Sequence, residues 1–129
     1  MRSWTGSLLL IVLGVLGLSS TSCGRHESTA TIIMTWSVVN ASYPDPTMAP
    51  LRKCADVGVK TVRIDVGTGG LYDFPCENYA GETFSFPSGT YNIQAIAFSE
   101  TGGVLNAKAF QNVYAYGQTK LGDVRFQIP

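Results

Sequence analysis

The chain has 129 residues, enough for one domain, of which 45% are hydrophobic and 14% are charged, and its formal net charge is zero. This balance argues against a nucleic-acid partner, which requires a basic face, and against membrane binding through a polybasic patch. The 14 glycines and 6 prolines stand between short apolar runs, a distribution that indicates many turns and is not that of a helical bundle.

The segment 1–22 differs in composition from the rest of the chain. Arg2 is its only charged side chain, and it contains the apolar run SLLLIVLGVLGL, residues 7–18. A membrane-spanning helix needs about 20 apolar residues, so this shorter run is typical of the hydrophobic region of a secretory signal. A buried N-terminal helix is the alternative, but the run is apolar on all sides and a polar stretch follows it. We therefore expect a signal peptide over 1–22 and an exported protein.

Cys23 follows this segment. The sequence SSTSCG, residues 19–24, resembles the lipobox of bacterial lipoproteins, where a small residue precedes an invariant cysteine that receives diacylglycerol. Ser22 and Cys23 match these two positions, whereas Ser20 stands where the family usually has leucine. Ser20 and Ser22 also satisfy the small-x-small rule of ordinary signal peptidase, whose cut falls at the same bond. Either cut starts the mature chain at or near Cys23, and the resemblance implies that this cysteine carries lipid.

Gly24, rather than aspartate, follows the cysteine, which resembles the outer-membrane sorting signal of Gram-negative lipoproteins. Residues 23–30 are then a lipidated cysteine followed by a polar tether, and several acyl chains hold a protein stably on a membrane. The resemblance implies a protein of the bacterial cell envelope, anchored by lipid in the outer membrane, with its folded domain in residues 31–129.

The first predicted strand of the domain is ATIIMTWSVV, residues 30–39. Its apolar residues alternate from Ile32 through Trp36 to Val38, which is the spacing of a strand with one buried face. The segment 40–50 holds three prolines, so it is excluded as a central strand.

One short helical turn is predicted in PLRKCADVG, residues 50–58. Pro50 suits the first helical position, and Gly58 suits the stop. Leu51 and Cys54 are one turn apart, so we expect them on one face of this turn.

Six further segments have the alternation or composition of strands. In the first of them, Arg63 and Asp65 are expected to point outward, and the inward residues are Val62, Ile64 and Val66. The segment 71–76, the third predicted strand, is expected at a sheet edge because Pro75 lacks an N–H. The segment 104–117, the sixth predicted strand, is expected to be interrupted near Asn112. The six segments are 59–67, 71–76, a short strand around Phe84 and Phe86, 90–98, 104–117 and 121–129. Seven short strands with such turns indicate an all-β, antiparallel, Ig-like or prealbumin-like sandwich.

The order of elements over residues 31–128 resembles prealbumin-like sandwiches, such as the carboxypeptidase regulatory-like modules of bacterial surface proteins. The segment FPSGTYNIQAIAFSETGG, residues 86–103, carries most of this resemblance. There a turn with Gly89 leads into a strand from Tyr91, and a glycine-rich hairpin ends that strand. Such modules mostly support or bind other molecules and share no catalytic residues, so the resemblance implies a non-catalytic role.

The cysteines are expected to pair, because export brings them into an oxidising compartment. Three cysteines leave one over, and if Cys23 carries lipid, Cys54 and Cys76 remain as a pair. A reactive thiol is the alternative, but it requires a histidine base, and the only histidine, His26, lies in the tether. We expect a Cys54–Cys76 disulfide, with Cα atoms within about 7 Å, that ties the helical turn to the third strand.

The sequence contains no clear metal, cofactor or catalytic motif. His26 has no metal-binding neighbours at ligand spacing, so we expect no metal site and no cofactor. GTGG, residues 67–70, lacks both the spacing and the Lys-Ser/Thr ending of a phosphate loop. The scattered carboxylates could hold Ca²⁺ or act as a pair in glycoside hydrolysis, but solvated acids are the simpler interpretation. We predict that the protein is not an enzyme.

Tyr114 and Tyr116 are the candidate ligand-binding residues. They share a face with Phe110 in the predicted sixth strand. Exposed tyrosines can stack on the apolar face of a sugar while their hydroxyls bind its polar groups. The alternative interpretation places these rings in the core, whereas an exposed coplanar pair favours carbohydrate binding.

The sequence thus predicts an exported, lipid-anchored, non-catalytic β-sandwich that serves as a surface or accessory module. The alternatives are a carbohydrate-binding module that uses Tyr114 and Tyr116, and a small hydrolase that uses paired carboxylates. The expected partners are the membrane, through the lipid anchor, and envelope proteins or glycans, with no nucleic acid. Any binding is expected on the sheet surface or on the loops at one end of the sandwich.

Overall fold

A computed structural model describes residues 28–45 and 47–129. The predicted signal peptide of residues 1–22 and Cys23 lie outside these described residues. Within them the chain forms nine β-strands and three short 3₁₀-helices, at Cys54–Val57, Gly67–Gly69 and Cys76–Asn78. The strands are β1 (Thr29–Asn40), β2 (Leu51–Arg52), β3 (Val59–Asp65), β4 (Leu71–Pro75), β5 (Ala80–Glu82), β6 (Phe86–Pro87), β7 (Gly89–Ser99), β8 (Val104–Ala115) and β9 (Gly117–Ile128).

The strands form two sheets that pack face to face as an all-β sandwich. One sheet has the order β4-β3-β7-β8, and all its pairs are antiparallel. In the other sheet β1 is central, with β2, β5 and β6 antiparallel along one edge and β9 parallel along the other. The prediction of a wholly antiparallel sandwich is therefore wrong for β1 and β9. The chain changes sheets after β8, so β9 does not fold back on β8 and instead pairs with the free edge of β1.

The described strands number nine rather than the predicted seven, because the edge of β1 is covered by short pieces. The predicted helical turn over 50–58 contains β2 and a 3₁₀-helix that ends at Gly58, whose φ of 76° is left-handed. Leu51 belongs to β2 and is exposed while Cys54 is buried, so their predicted common face is wrong. The predicted strand around Phe84 and Phe86 is divided into β5 and β6.

A threonine side chain explains where that strand divides. The Thr83 N–H donates to the Ile32 carbonyl (3.0 Å), as a strand residue would. The Ile32 N–H, however, donates to the Thr83 hydroxyl (2.9 Å) and not to a backbone carbonyl. The side chain therefore replaces one rung of the ladder, and the chain leaves the sheet at Phe84 before it rejoins at Phe86.

The apolar faces of the two sheets meet in the core. In β1 the alternate residues from Ile32 to Val38 are buried, as predicted. The other sheet and β9 contribute alternate residues in the same way, and these are Val62, Ile64, Ile93, Ala95, Ala97, Val124, Phe126 and Ile128. The period of two in the sequence therefore identifies the buried face of each long central strand correctly.

The predicted disulfide is present at one end of the core. Cys54 and Cys76 are bonded, and their Cα atoms are 6.0 Å apart. Trp36 of β1 donates from its indole N–H to the Cys76 carbonyl (2.8 Å), and its own N–H donates to the Tyr79 carbonyl (3.0 Å). The Cys54 N–H in turn donates to the Tyr79 hydroxyl (3.1 Å). One cluster thus joins the central strand of one sheet to the chain that leaves β4 in the other.

A β-bulge interrupts β8 at Asn112, as predicted. Between β7 and β8 the register passes from Tyr91↔Val113 to Ile93↔Phe110, so two residues of β8 face Asn92 alone. Asn112 has a left-handed φ of 54°, and its N–H donates to the Asn92 side-chain oxygen (2.9 Å). The extra residue reverses which face the following side chains take.

Removing the disulfide is expected to destabilise the domain substantially. The bond closes a loop across a separation of 22 residues, and the chain-entropy model assigns about 3 kcal/mol to such a loop. The double variant Cys54→Ala/Cys76→Ala should lose about this much free energy of unfolding in urea titrations. Dithiothreitol should destabilise the wild type by the same amount and leave the double variant unchanged. A double variant as stable as the oxidised wild type would contradict this prediction.

Substitutions of Asn112 are expected to differ by backbone conformation alone. The left-handed region costs a non-glycine residue about 1–2 kcal/mol, and a β-branched side chain tolerates it least. Asn112→Val should therefore have a free energy of unfolding lower by about 1–2 kcal/mol than its matched control, Asn112→Gly. Equal stability of the two variants in urea titrations would show that the bulge does not require this conformation.

Candidate ligand-binding surface

Aromatic side chains collect at one end of the sandwich. The pairs Thr29↔Pro87 and Gly89↔Ala115 bring the start of β1, the link into β7 and the end of β8 to this end. The turn between β3 and β4 lies here too, because a Cβ added to Gly69 would approach the Phe86 ring within 3.1 Å. We call this the aromatic end and define it as residues 66–72, 83–92 and 111–119. It is one of the two places where the sequence predicts binding.

Tyr114 and Tyr116 lie at the aromatic end on the outer surface. They are 63% and 49% exposed, so the interpretation that places them in the core is wrong. Their rings are within 11° of parallel, with centroids 6.0 Å apart. Phe110 is instead half-buried and packs against the core, because the bulge at Asn112 separates it in phase from the two tyrosines. The prediction that Phe110 and the two tyrosines share a face is therefore wrong.

The backbone around this tyrosine pair is fixed by hydrogen bonds. Tyr114 is paired across the sheet with Thr90 on β7. At the crossing into β9, the Tyr116 N–H donates to the Thr119 hydroxyl (3.2 Å), and that hydroxyl also contacts the Tyr116 carbonyl (3.5 Å). The two rings thus project from ordered strand ends, which is the placement that keeps a binding surface preorganised.

A second group of aromatic rings lies between the two sheets at the same end. Tyr91 packs edge-to-face on Phe86 with centroids 5.1 Å apart, and its hydroxyl donates to the Pro87 carbonyl. Tyr72 donates to the Gly69 carbonyl (2.6 Å) and meets Phe84 edge-to-face at 6.2 Å. These contacts hold Phe84 above the rest of the group.

Phe84 is the surface residue that sequence reasoning missed. It is 81% exposed, whereas Phe86, two residues further along the predicted strand, is buried. The replacement of a ladder rung by Thr83 lifts Phe84 out of the sheet. The only signal in the sequence is the threonine itself, a residue whose side chain competes for backbone hydrogen bonds.

Two carboxylates border the aromatic end: Asp65 accepts a hydrogen bond from the Gly67 N–H (2.9 Å), and Glu82 accepts one from the Gln118 side chain (3.2 Å). None of its three segments contains Lys, Arg, Asp or Glu. The opposite end differs: a surface groove of about 570 Å³ there is lined by charged residues of both signs, among them Lys60, Glu77 and Glu100. The sandwich therefore has one aromatic end that is bordered by carboxylates, and an opposite end whose groove is lined by charges of both signs.

Two of the carboxylates that the sequence offered for metal binding or hydrolysis take part in local contacts. Asp73 forms a two-point salt bridge with Arg63 on the outer sheet face (2.7 and 3.1 Å), which raises the pKa of that guanidinium. Asp45 accepts hydrogen bonds from the hydroxyl and N–H of Thr47, which lower the pKa of the Asp45 carboxyl. Across residues 28–45 and 47–129, no group of three or more His, Cys, Asp or Glu side chains could hold a metal ion.

The described part of the chain contains no helix that is long and apolar enough to cross a membrane. The chain matches no protein-family model, no curated protein and no solved structure.

Proposed function

We propose that this chain is an exported, non-catalytic β-sandwich module that is anchored in the bacterial outer membrane by lipid on Cys23. The disulfide is the observation that carries the proposal. Because Cys54 and Cys76 are bonded to each other, Cys23 is the one cysteine left for another purpose. The lipobox resemblance of residues 19–24 supplies that purpose, and an exported compartment is where such a disulfide persists.

The finer assignment to prealbumin-like sandwiches, and among them to carboxypeptidase regulatory-like modules, is also part of the proposal. It is supported by residues 86–103, where β6 leads through a turn into β7 and a hairpin with Gly102 at φ 91° ends the strand. A surface or accessory role follows from the resemblance. The non-catalytic assignment is supported by the sequence of residues 28–129, which contains no histidine to serve as a general base.

Cys23→Ala is expected to abolish membrane attachment. Without the thiol no diacylglycerol can be added, so the protein should leave the membrane fraction or remain unprocessed. Fractionation of cells labelled with radioactive palmitate measures both effects, and the wild type should carry the label. Cys54→Ala/Cys76→Ala is the matched control, because it removes two cysteines and should keep the label. A soluble wild-type protein with a free thiol at Cys23 would contradict the proposal.

A second candidate function, carbohydrate binding by Tyr114 and Tyr116, is favoured by the exposed, nearly parallel pair of rings. The apolar face of a sugar stacks on such a ring, and the hydroxyl gives a polar contact. The neutral polar side chains nearby, Thr90, Asn92 and Gln111, could orient a neutral ligand.

The spacing of the rings decides how a sugar would bind. A sugar held between two rings needs two contact distances of about 3.5–4.0 Å, so the ring centres would be about 7–8 Å apart. The centroids are 6.0 Å apart. A sugar would therefore stack on an outer face of the pair, not between its members.

Glycan binding would depend on the tyrosine pair. Tyr114→Ala and Tyr116→Ala are each expected to weaken binding by up to about tenfold on a glycan array, because one aromatic stacking contact contributes about 1 kcal/mol or slightly more. Tyr43→Ala is the matched control, since Tyr43 is an exposed tyrosine that follows β1 at the opposite end.

Equal losses in all three variants, or glycan binding that none of them changes, would contradict this candidate function. The same preparation, screened with hydrolase substrates, is expected to show no turnover. Turnover abolished by one Asp→Asn or Glu→Gln change would instead support the hydrolase alternative.

A further inference from the structure

We propose that the aromatic end is a membrane-contact surface, whose exposed apolar and tyrosine side chains enter the headgroup region of the bilayer that holds the anchor. The side chains concerned are Leu71, Phe84, Tyr114 and Tyr116. The inference rests on the proposed lipid on Cys23, and it adds how the folded domain is oriented on the membrane.

The path of the chain brings the anchor to this end. The Ser28 carbonyl accepts a hydrogen bond from the Ser88 N–H (2.9 Å), and Thr29 pairs with Pro87, so the described chain begins at the aromatic end. The five residues 24–28 separate Cys23 from the sheet, and five extended residues span at most about 18 Å.

The opposite end is much farther away from the anchor. β9 runs the length of the sandwich with 12 residues, which corresponds to about 40 Å at about 3.3 Å per residue. A tether of at most about 18 Å is too short for the opposite end to take the place of the aromatic end at the membrane surface. Lipid on Cys23 therefore holds the aromatic end closest to the bilayer.

The side chains at this end suit a bilayer interface. Phe84 is 81% exposed and Leu71 is 57% exposed. Tyrosines are enriched at membrane interfaces because one part of the ring is apolar and the hydroxyl is polar. The three segments contain no charged residue, and the carboxylates that border them, Asp65 and Glu82, accept hydrogen bonds from Gly67 and Gln118.

The opposite end of the sandwich also exposes apolar residues. There Met48, 74% exposed, and Leu51 are followed or preceded by Asp45, Arg52 and Lys53. Such residues scattered among charges are ordinary features of a protein surface. At the aromatic end Leu71 lies across from Asp65, and Phe84 is two residues from Glu82, so it is the position of the tether that distinguishes the two ends.

The lipid anchor removes the need for a strong contact. An anchored domain meets the membrane as an intramolecular partner at high effective concentration, so a few partly buried side chains are enough to orient it. Carbohydrate binding would use the tyrosine pair but gives no role to Leu71 and Phe84. The experiment therefore follows Phe84.

The test uses two variants of the lipid-anchored protein, each with a tryptophan at one end of the sandwich. Phe84→Trp reports on the aromatic end, and Met48→Trp is the matched control at the opposite end. Each protein is purified from membranes and reconstituted into phosphatidylcholine vesicles in which part of the lipid is brominated near the headgroup end of its acyl chains. The wild type, with buried Trp36, supplies the background emission. Both positions are highly exposed, so neither change should disturb the core.

Bromine quenches tryptophan at short range, so the emission of Phe84→Trp is expected to fall several-fold more than that of Met48→Trp. Equal quenching of the two variants would overturn the inference. Mass spectrometry of the mature N-terminus is done on the same samples to identify lipid on Cys23.

The outcomes separate this inference from the proposed function. Lipid on Cys23 without selective quenching of Phe84→Trp leaves the anchor in place and overturns the membrane contact. Absence of lipid on Cys23 overturns the proposed function, and the membrane contact with it. Lipid on Cys23, no selective quenching, and glycan binding that is lost in Phe84→Ser would assign the aromatic end to a glycan and overturn the inference.

Discussion

β1 has both of its edges paired, and the other elements are arranged around it. β9 lies beside it in parallel from Ala30 to Asn40, so one edge is filled by a single long strand. The other edge is filled by β6, β5 and β2, each pairing with two or three residues of β1. Covering one long edge with three short pieces leaves links between them that cannot join the ladder. One of these links carries Phe84 to the surface.

The two ends of the sandwich are built differently as a result. At one end, the disulfide and the indole of Trp36 connect the sheets through covalent and hydrogen bonds. At the other end, the sheets are joined by aromatic packing of Phe86 and Tyr91 and by the crossing at Tyr116. Charged residues line a groove beside the first arrangement, whereas the packed rings of the second are themselves neutral. The proposed anchor and the proposed membrane contact both belong to the second.

Local alternation predicted the long strands well, because each of them has one face in the core. The inward residues of β1, β3 and β9 follow directly from a period of two, and cysteine parity identified the disulfide. Three features depended on contacts between distant segments and could not be read from local pattern. They are the parallel pairing of β9 with β1, the division of the ladder by the Thr83 hydroxyl, and the effect of the Asn112 bulge on phase. The position of the bulge was predicted from the sequence, but its effect on the side that Tyr114 faces depends on the register of β8 against β7.

The interruptions of the outer strands have a consequence for crowding. Free strand edges invite pairing with a neighbouring molecule, and short length, proline and bulges all discourage it. β4 is short and ends in Pro75, and β8 is bent at Asn112. β9 has an irregularity near Leu121, followed by Gly122 at φ 88°. Copies held side by side by the proposed lipid anchor would thus meet through edges that are poor templates for intermolecular sheets.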